Sequence, residues 1–189
     1  MIDVALKFLT GELNAYLLAR TALSFGKASL SPVVDEAGKW KAATDSLGCF
    51  LLGLEEERHT KEHLPSYTYR AGQKVQLQPP LKLNLNVMFF AHFQNYEQAL
   101  KYLSLLLTFF QRYGAFNPAQ YPGMPSGLEK LIVELQSPSY EQLNQIWAFI
   151  GGKYLPSALY KIRMTVLQDD AESDVMPPLH DIRYTLVRT

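Results

Sequence analysis

Between residues 81 and 93, apolar side chains recur at every second position. Leu81, Leu83, Leu85, Val87, Phe89, Ala91 and Phe93 share one face of a strand. The other face begins polar, with Lys82, Asn84 and Asn86, and turns apolar at Met88 and Phe90. Such a strand enters at an exposed rim and ends buried on both sides. The period then changes to that of a helix. Asn95 offers an N-cap oxygen, and Gln98, three residues on, completes a capping-box-like pair. The stripe Tyr96, Ala99, Leu103, Leu106/Leu107, Phe110 and Tyr113 follows at helical spacing, and Gly114 stands where a left-handed stop belongs.

The same reading orders the rest of the chain. Ile2, Leu6, Leu9, Leu13 and Leu17 set out an amphipathic first helix running to about Arg20 or Leu23. Residues 24–45 read as an exposed connection. A strand over 47–58 starts apolar and ends in Glu55, Glu56, Glu57 and Arg58, the sign of a solvated rim. A second long connection, 61–80, carries Pro65, Gly72, Pro79 and Pro80, and aperiodic loops of that length are often functional surfaces. After the breaker-rich loop 117–127 comes a short strand around 130–136. A helix follows, announced by Ser139 and Gln142 and stopped by Gly151 and Gly152. Its stripe is Tyr140, Leu143, Ile146/Trp147 and Ile150. A strand over 158–168 places Tyr160, Ile162, Met164 and Val166 on one side and Lys161, Arg163 and Thr165 on the other. An acidic turn over 169–174 and Pro177-Pro178 separate it from a last strand near 182–187. The expectation is an α+β fold: a single domain over 1–189, with a mixed sheet of about five strands and about three helices.

A chain of 189 residues is long enough for one well-filled core. Eighteen basic and eighteen acidic residues cancel, which argues against a protein that tracks a nucleic-acid backbone. Cys49 is the single cysteine, so no intrachain disulfide is expected, and its apolar run LGCFLL predicts a buried thiol. Lys7, Glu12 and Arg20 interrupt the first helix, so no signal peptide is expected. The uncharged stretch 102–110 is too short to span a bilayer. These features favour folding in the cytoplasm, with no membrane partner.

No constellation for catalysis emerges. His59 and His63 stand four apart as zinc ligands do, yet Thr60 occupies the place where a zincin needs glutamate, and no third ligand follows. His92 and His180 read as structural histidines. The glycines around Ser126 are wrongly placed for a nucleophile elbow, and Lys153 is not followed by the Ser or Thr of a phosphate loop. The carboxylates at 55–57 and 169–174 lack apolar walls to shift their pKa values. The reading is therefore a non-enzyme with no metal and no cofactor.

Several blocks, in order, carry a resemblance. They are ALKFLTGELNAYL at 5–17, LEEERH at 54–59, PPLKLNLNVMFFAHFQNYEQALKYLS at 79–104, FFQ at 109–111 and LNQIWAFIGGKYLPSALYKIRM at 143–164. The chain resembles the cap, or tail-terminator, proteins of extracellular contractile injection systems, the phage-tail-like particles of the Photorhabdus virulence cassette and antifeeding prophage type. The resemblance implies a homohexameric ring that stacks on the last layer of inner tube protein and sheath protein and ends their growth. It implies assembly in the cytoplasm, in a particle released extracellularly or otherwise deployed. Some members carry an additional C-terminal region, and this sequence ends soon after its last expected strand. The competing reading is a non-enzymatic adaptor or a baseplate or cargo-binding module. Ring building needs loops, strand edges and aromatic surface, and an exposed sheet edge is suited to accept an extended arm. The candidate interface residues are Tyr67, Tyr69, Arg70, Tyr121, Lys153, Tyr154 and Arg163.

Overall fold

The computed structural model of the protein describes residues 1–23, 25–57, 66–70, 73–77, 81–166 and 175–176. Positions 66–70, 73–77, 166 and 175–176 are described by backbone alone. Its first element is α1 (Ile2–Thr21), ended by Ala22 in the left-handed region at φ 53°. Ala5, Leu6, Leu9, Leu13 and Leu17 are its buried face, as their spacing predicts.

Six strands form one mixed sheet in the order β1-β2-β5-β8-β7-β6. These are β1 (Ala28–Leu30), β2 (Ser46–Glu56), β5 (Leu81–His92), β6 (Ala115–Phe116), β7 (Leu128–Gln136) and β8 (Ser157–Val166). Only the β1–β2 pairing is parallel. The sheet thus holds six strands where about five were expected in all. Residues 24–45 are not a plain connection, since β1 lies within them. A second sheet of three strands, β3 (Ser66–Arg70), β4 (Gln73–Leu77) and β9 (Val175–Met176), contains the hairpin β3–β4 inside the expected loop 61–80. The strand expected near 182–187, His59, His63 and His180 lie outside the described residues.

The central strand β5 is buried on both sides, which divides the core in two. Leu83, Leu85, Val87, Phe89 and Ala91 join the larger cluster, with α1 and α2 (Tyr96–Arg112) over them. Met88 and Phe90 belong to a smaller cluster on the opposite face, under α3 (Tyr140–Ile150) and the segment 33–42. Fully burying each such side chain contributes about 1.5–3 kcal/mol. Leu106 and Phe110 are buried on α2 as expected, but the stripe is rotated from the expected one. Tyr102 and Phe109 point inward, while Tyr96 is 64% exposed. Gly114 is not left-handed; Tyr113 caps α2 at φ −120°, and the Gly114 carbonyl instead accepts the Val133 N–H at 2.8 Å. At α3 the expected capping box forms fully, and Gly151 is left-handed at φ 72°. His92 stacks on Trp40, and its Nδ1 lies 3.1 Å from the Ala42 carbonyl oxygen, a structural role.

Candidate docking surface

Among the described residues, α1 and α2 cover one face of the six-stranded sheet, whereas α3 and the segment 33–42 cover one end of the other. The remaining half of that second face is where the polar positions of the strands meet. A β-bulge between Leu51 and Gly53 shifts β2 by one residue, so that Glu55 comes to stand opposite Asn84. Without the shift, the alternation that buries Cys49 would send Glu55 and Glu57 to the wrong face.

Four side-chain contacts organise this surface. Asn86 Nδ2 donates to Glu55 Oε1 at 3.0 Å, and Asn84 Nδ2 donates to Glu57 Oε2 at 3.0 Å. Arg163 of β8 pairs with Glu134 of β7. Lys161 lies 4.0 Å from Glu55. These ion pairs are largely solvated, so each contributes at most about 1 kcal/mol. Together they leave a surface of alternating sign rather than one strong charge. Asn84 is only 4% exposed, and its Oδ1 has no hydrogen-bond partner among the described residues. A hollow of about 440 Å³ lies beside it, lined by Lys130, Ile132, Arg163 and Thr165 among others.

A groove of about 540 Å³ runs between this surface and α3. Its α3 wall is the stripe Gln142, Gln145, Ile146 and Phe149, and its floor includes Leu52, Asn86 and Leu159. Phe149 is 83% exposed although it belongs to a capped helix, so this side chain is not there to fill the core. The lining has no Asp, Glu, Lys or Arg. Past β6, which pairs with Leu131 and Ile132, no other described strand pairs with the end of β7 on that side.

The structure separates the candidate residues into four places. Tyr67, Tyr69 and Arg70 share β3 and stand in register with Gln76, Lys74 and Gln73 of β4. Lys153 and Tyr154 are exposed just after α3, the Tyr154 ring edge-on to Trp147 at 5.6 Å. Arg163 is part of the charged half-sheet. Tyr121 turns toward its own chain, packing on Phe116 at 4.9 Å and Phe8 at 6.1 Å. Burial, with Glu12 and Tyr113 nearby, raises its hydroxyl pKa. The sequence reading missed Glu55, Glu134, Asn84, Asn86 and Phe149 as surface partners. The alternation of Lys82, Asn84 and Asn86 with Lys161, Arg163 and Thr165 was the available signal, once the strands are placed side by side.

Burial pushes the Cys49 thiol up to about 12, so this cysteine is a packed core group. Among the described residues no group of three or more His, Cys, Asp or Glu is placed to hold a metal ion. None of the described helices is long and apolar enough to cross a membrane.

The profile of the Pvc16 N-terminal domain family matches residues 5–181. The chain belongs to this family. Its match to the Pvc16 N-terminal domain takes in all nine described strands and α2 and α3, and begins within α1. Two structures solved by cryo-electron microscopy share the fold. One is the sheath/tube terminator, in the extended state, of an extracellular contractile injection system, PVC. It matches with a TM-score of 0.63 at 16% identity over 96% of this chain and 62% of that one. The other is the anti-feeding prophage cap, a tube-terminating cap. It gives a TM-score of 0.59 at 16% identity, over 94% of this chain and 60% of that one. The chain therefore spans about three-fifths of the length of each. No curated protein matches at a significant level.

Proposed function

We propose that this protein is a structural terminator of a phage-tail-like contractile injection particle. The observation that carries the reading is family membership over 5–181, joined to a fold shared along 96% of the chain with a sheath/tube terminator. In this reading the chain is one terminator domain over 1–189 and carries out no chemical step. Six copies form a ring that docks on the last layer of inner tube and sheath and ends their polymerisation, in the cytoplasm where the particle is assembled.

The physical chemistry of the surface supports this. Tube and sheath subunits each present complementary top and bottom faces, so their stacking is open-ended until something covers the growing end. A cover needs one face that matches the polymer. The half-open sheet, with ion pairs of alternating sign beside an uncharged groove, is suited to register-specific contact with a polar protein face. Arg163, Lys153, Tyr154 and the β3 residues Tyr67, Tyr69 and Arg70 are proposed as contact residues. Tyr121 acts through the loop it anchors against Phe116.

The test is particle length. Deleting the gene is expected to give particles of irregular length, missing sheath or unstable uncapped tubes. An adaptor or cargo-binding module instead predicts normal particles with an empty lumen or a lost baseplate component. A uniform, capped, full-length population in the deletion strain overturns the terminator reading.

A further inference from the structure

The outer edge of β1 is closed by a side chain. The Lys27 carbonyl accepts the Leu47 N–H at 3.1 Å, and the Ser31 N–H donates to the Cys49 carbonyl at 3.2 Å. Residues 27, 29 and 31 therefore bond inward to β2, and Ala28 and Leu30, which alternate with them, turn their backbone groups outward. An outward row of this kind is a template for another strand. At Ala28 the template is already filled from within the chain. Asn14 Nδ2 donates to the Ala28 carbonyl at 2.9 Å, and the Ala28 N–H donates to Asn14 Oδ1 at 2.7 Å. One donor and one acceptor from one planar amide reproduce what a residue of an added strand would supply.

The ground beside this edge would suit an incoming strand. A hollow of about 330 Å³ adjoins Asn14, walled by Leu17, Leu18, Leu23 and Phe25. Leu18, Leu23 and Phe25 are exposed apolar side chains. An edge with an apolar hollow next to it would invite pairing, and α1 carries the residue that prevents it. We propose that Asn14 is a lock in cis on the β1 edge, whose amide stands in for a strand at Ala28 and keeps free copies of this protein from pairing edge to edge. The inference does not depend on the terminator reading, because it concerns self-association of the subunit alone.

Asn14→Ala and Asn14→Asp test it through two readouts, amide hydrogen exchange and sedimentation over a range of concentrations. In the alanine variant, diluted until it is monomeric, the Ala28 amide is expected to exchange at least tenfold faster while that of Leu85, in the sheet centre, is unchanged. Its average mass should rise with concentration above that of the wild type. Adding Ser29→Lys should return the mass to the wild-type value, since a lysine on an edge opposes strand pairing. The aspartate variant keeps the acceptor and loses the donor. Its Ala28 amide should stay protected while the mass rises less. An Ala28 amide that exchanges at the wild-type rate in the alanine variant, at a dilution where that variant is monomeric, overturns the proposal. So does a faster amide with an unchanged mass distribution, which makes Asn14 a structural bracket and no lock. Should the alanine variant unfold, seen as fast exchange at Leu85 too, the aspartate variant decides, and a wild-type mass at every concentration overturns the proposal.

Discussion

Gly48 and Phe90 stand opposite each other across the β2–β5 ladder, and the ring of Phe90 occupies the place where a Cβ on Gly48 would be. Phe90 is fully buried in the smaller core cluster, so its ring has no free space into which to withdraw. Gly48→Ala should therefore cost about 1–3 kcal/mol by overpacking. The double variant with Phe90→Leu should lose less than the sum of the two single losses, because the smaller side chain makes room. Urea unfolding of the four proteins measures that coupling, and additive losses would show that the two positions do not share the space.

Leu106 lies at 0% exposure on α2, in the larger core cluster. Leu106→Ala should lower stability by about 2–5 kcal/mol through lost burial and the cavity left behind. Because the side chain is inside, the same variant should keep whatever partner contacts the folded protein makes. A melting temperature close to the wild-type value would place this helix face at an interface instead.

The two helix caps should be separable. At α3, Ser139 Oγ accepts the Gln142 N–H at 3.2 Å while Gln142 Oε1 accepts the Ser139 N–H at 2.9 Å. At α2, Asn95 Oδ1 accepts the N–H groups of Glu97 and Gln98 at 2.8 and 3.3 Å, but Gln98 Oε1 has no partner among the described residues. Ser139→Ala and Asn95→Ala should each cost about 1 kcal/mol. Gln142→Ala should add a further loss at α3, whereas Gln98→Ala should not remove a cap at α2. Chemical denaturation of the four variants checks the pattern.

The central strand and its helix were legible because β5 alternates over twelve residues and two-sided burial leaves a clear mark at Met88 and Phe90. The site was legible only in part. Strand β1 has three residues and parallel pairing, too short for a period to show, and it is held by Asn14 from another element. The hairpin β3–β4 lay hidden between Pro65 and Pro79-Pro80, which read as a loop. Exposed Tyr96 and inward Tyr102 show why the α2 stripe was misplaced. Leucines and tyrosines surround that helix, and tertiary contact chooses among them. The charged half-sheet depends on the bulge near Gly53, and a glycine inside a strand was its one local signal, since glycine often marks a bulge.

The buried thiol gives a pH prediction with a definite sign. Cys49 ionises near 9.0 when exposed and at about 12 in the fold. Between those values the unfolded chain has lost a proton that the folded chain keeps, so stability from this group falls as pH rises through that window. The slope is about 1.4 kcal/mol per pH unit, and the contribution is whole below pH 9. Cys49→Ala removes the term, so the difference in stability between the two proteins should narrow or reverse as pH rises from 8 to 11. Thermal melts in parallel at each pH measure this difference, and a gap that stays constant would show that the thiol is reached by solvent.

The oligomer offers the most direct check on the proposed ring. Six copies of a 21.5 kDa chain make about 129 kDa. That species is expected by native mass spectrometry, or on the particle end if docking supplies part of the contact. Replacing Tyr67 and Tyr69 together with Asp should weaken docking, since a charge pressed against a partner loses its water without compensation. Arg163→Glu, which sets two acids side by side with Glu134, should disturb the half-sheet surface as well. The melting temperature should stay close to wild type for the tyrosine pair if both act in docking. The particle-length defect should then reproduce part of the deletion phenotype. Leu106→Ala separates the two effects, because it lowers stability while leaving the surface unchanged. Particle ends resolved with three or twelve copies would contradict the sixfold ring. Tyrosine variants that cap particles normally would move the docking face away from β3 and toward the groove beside Phe149.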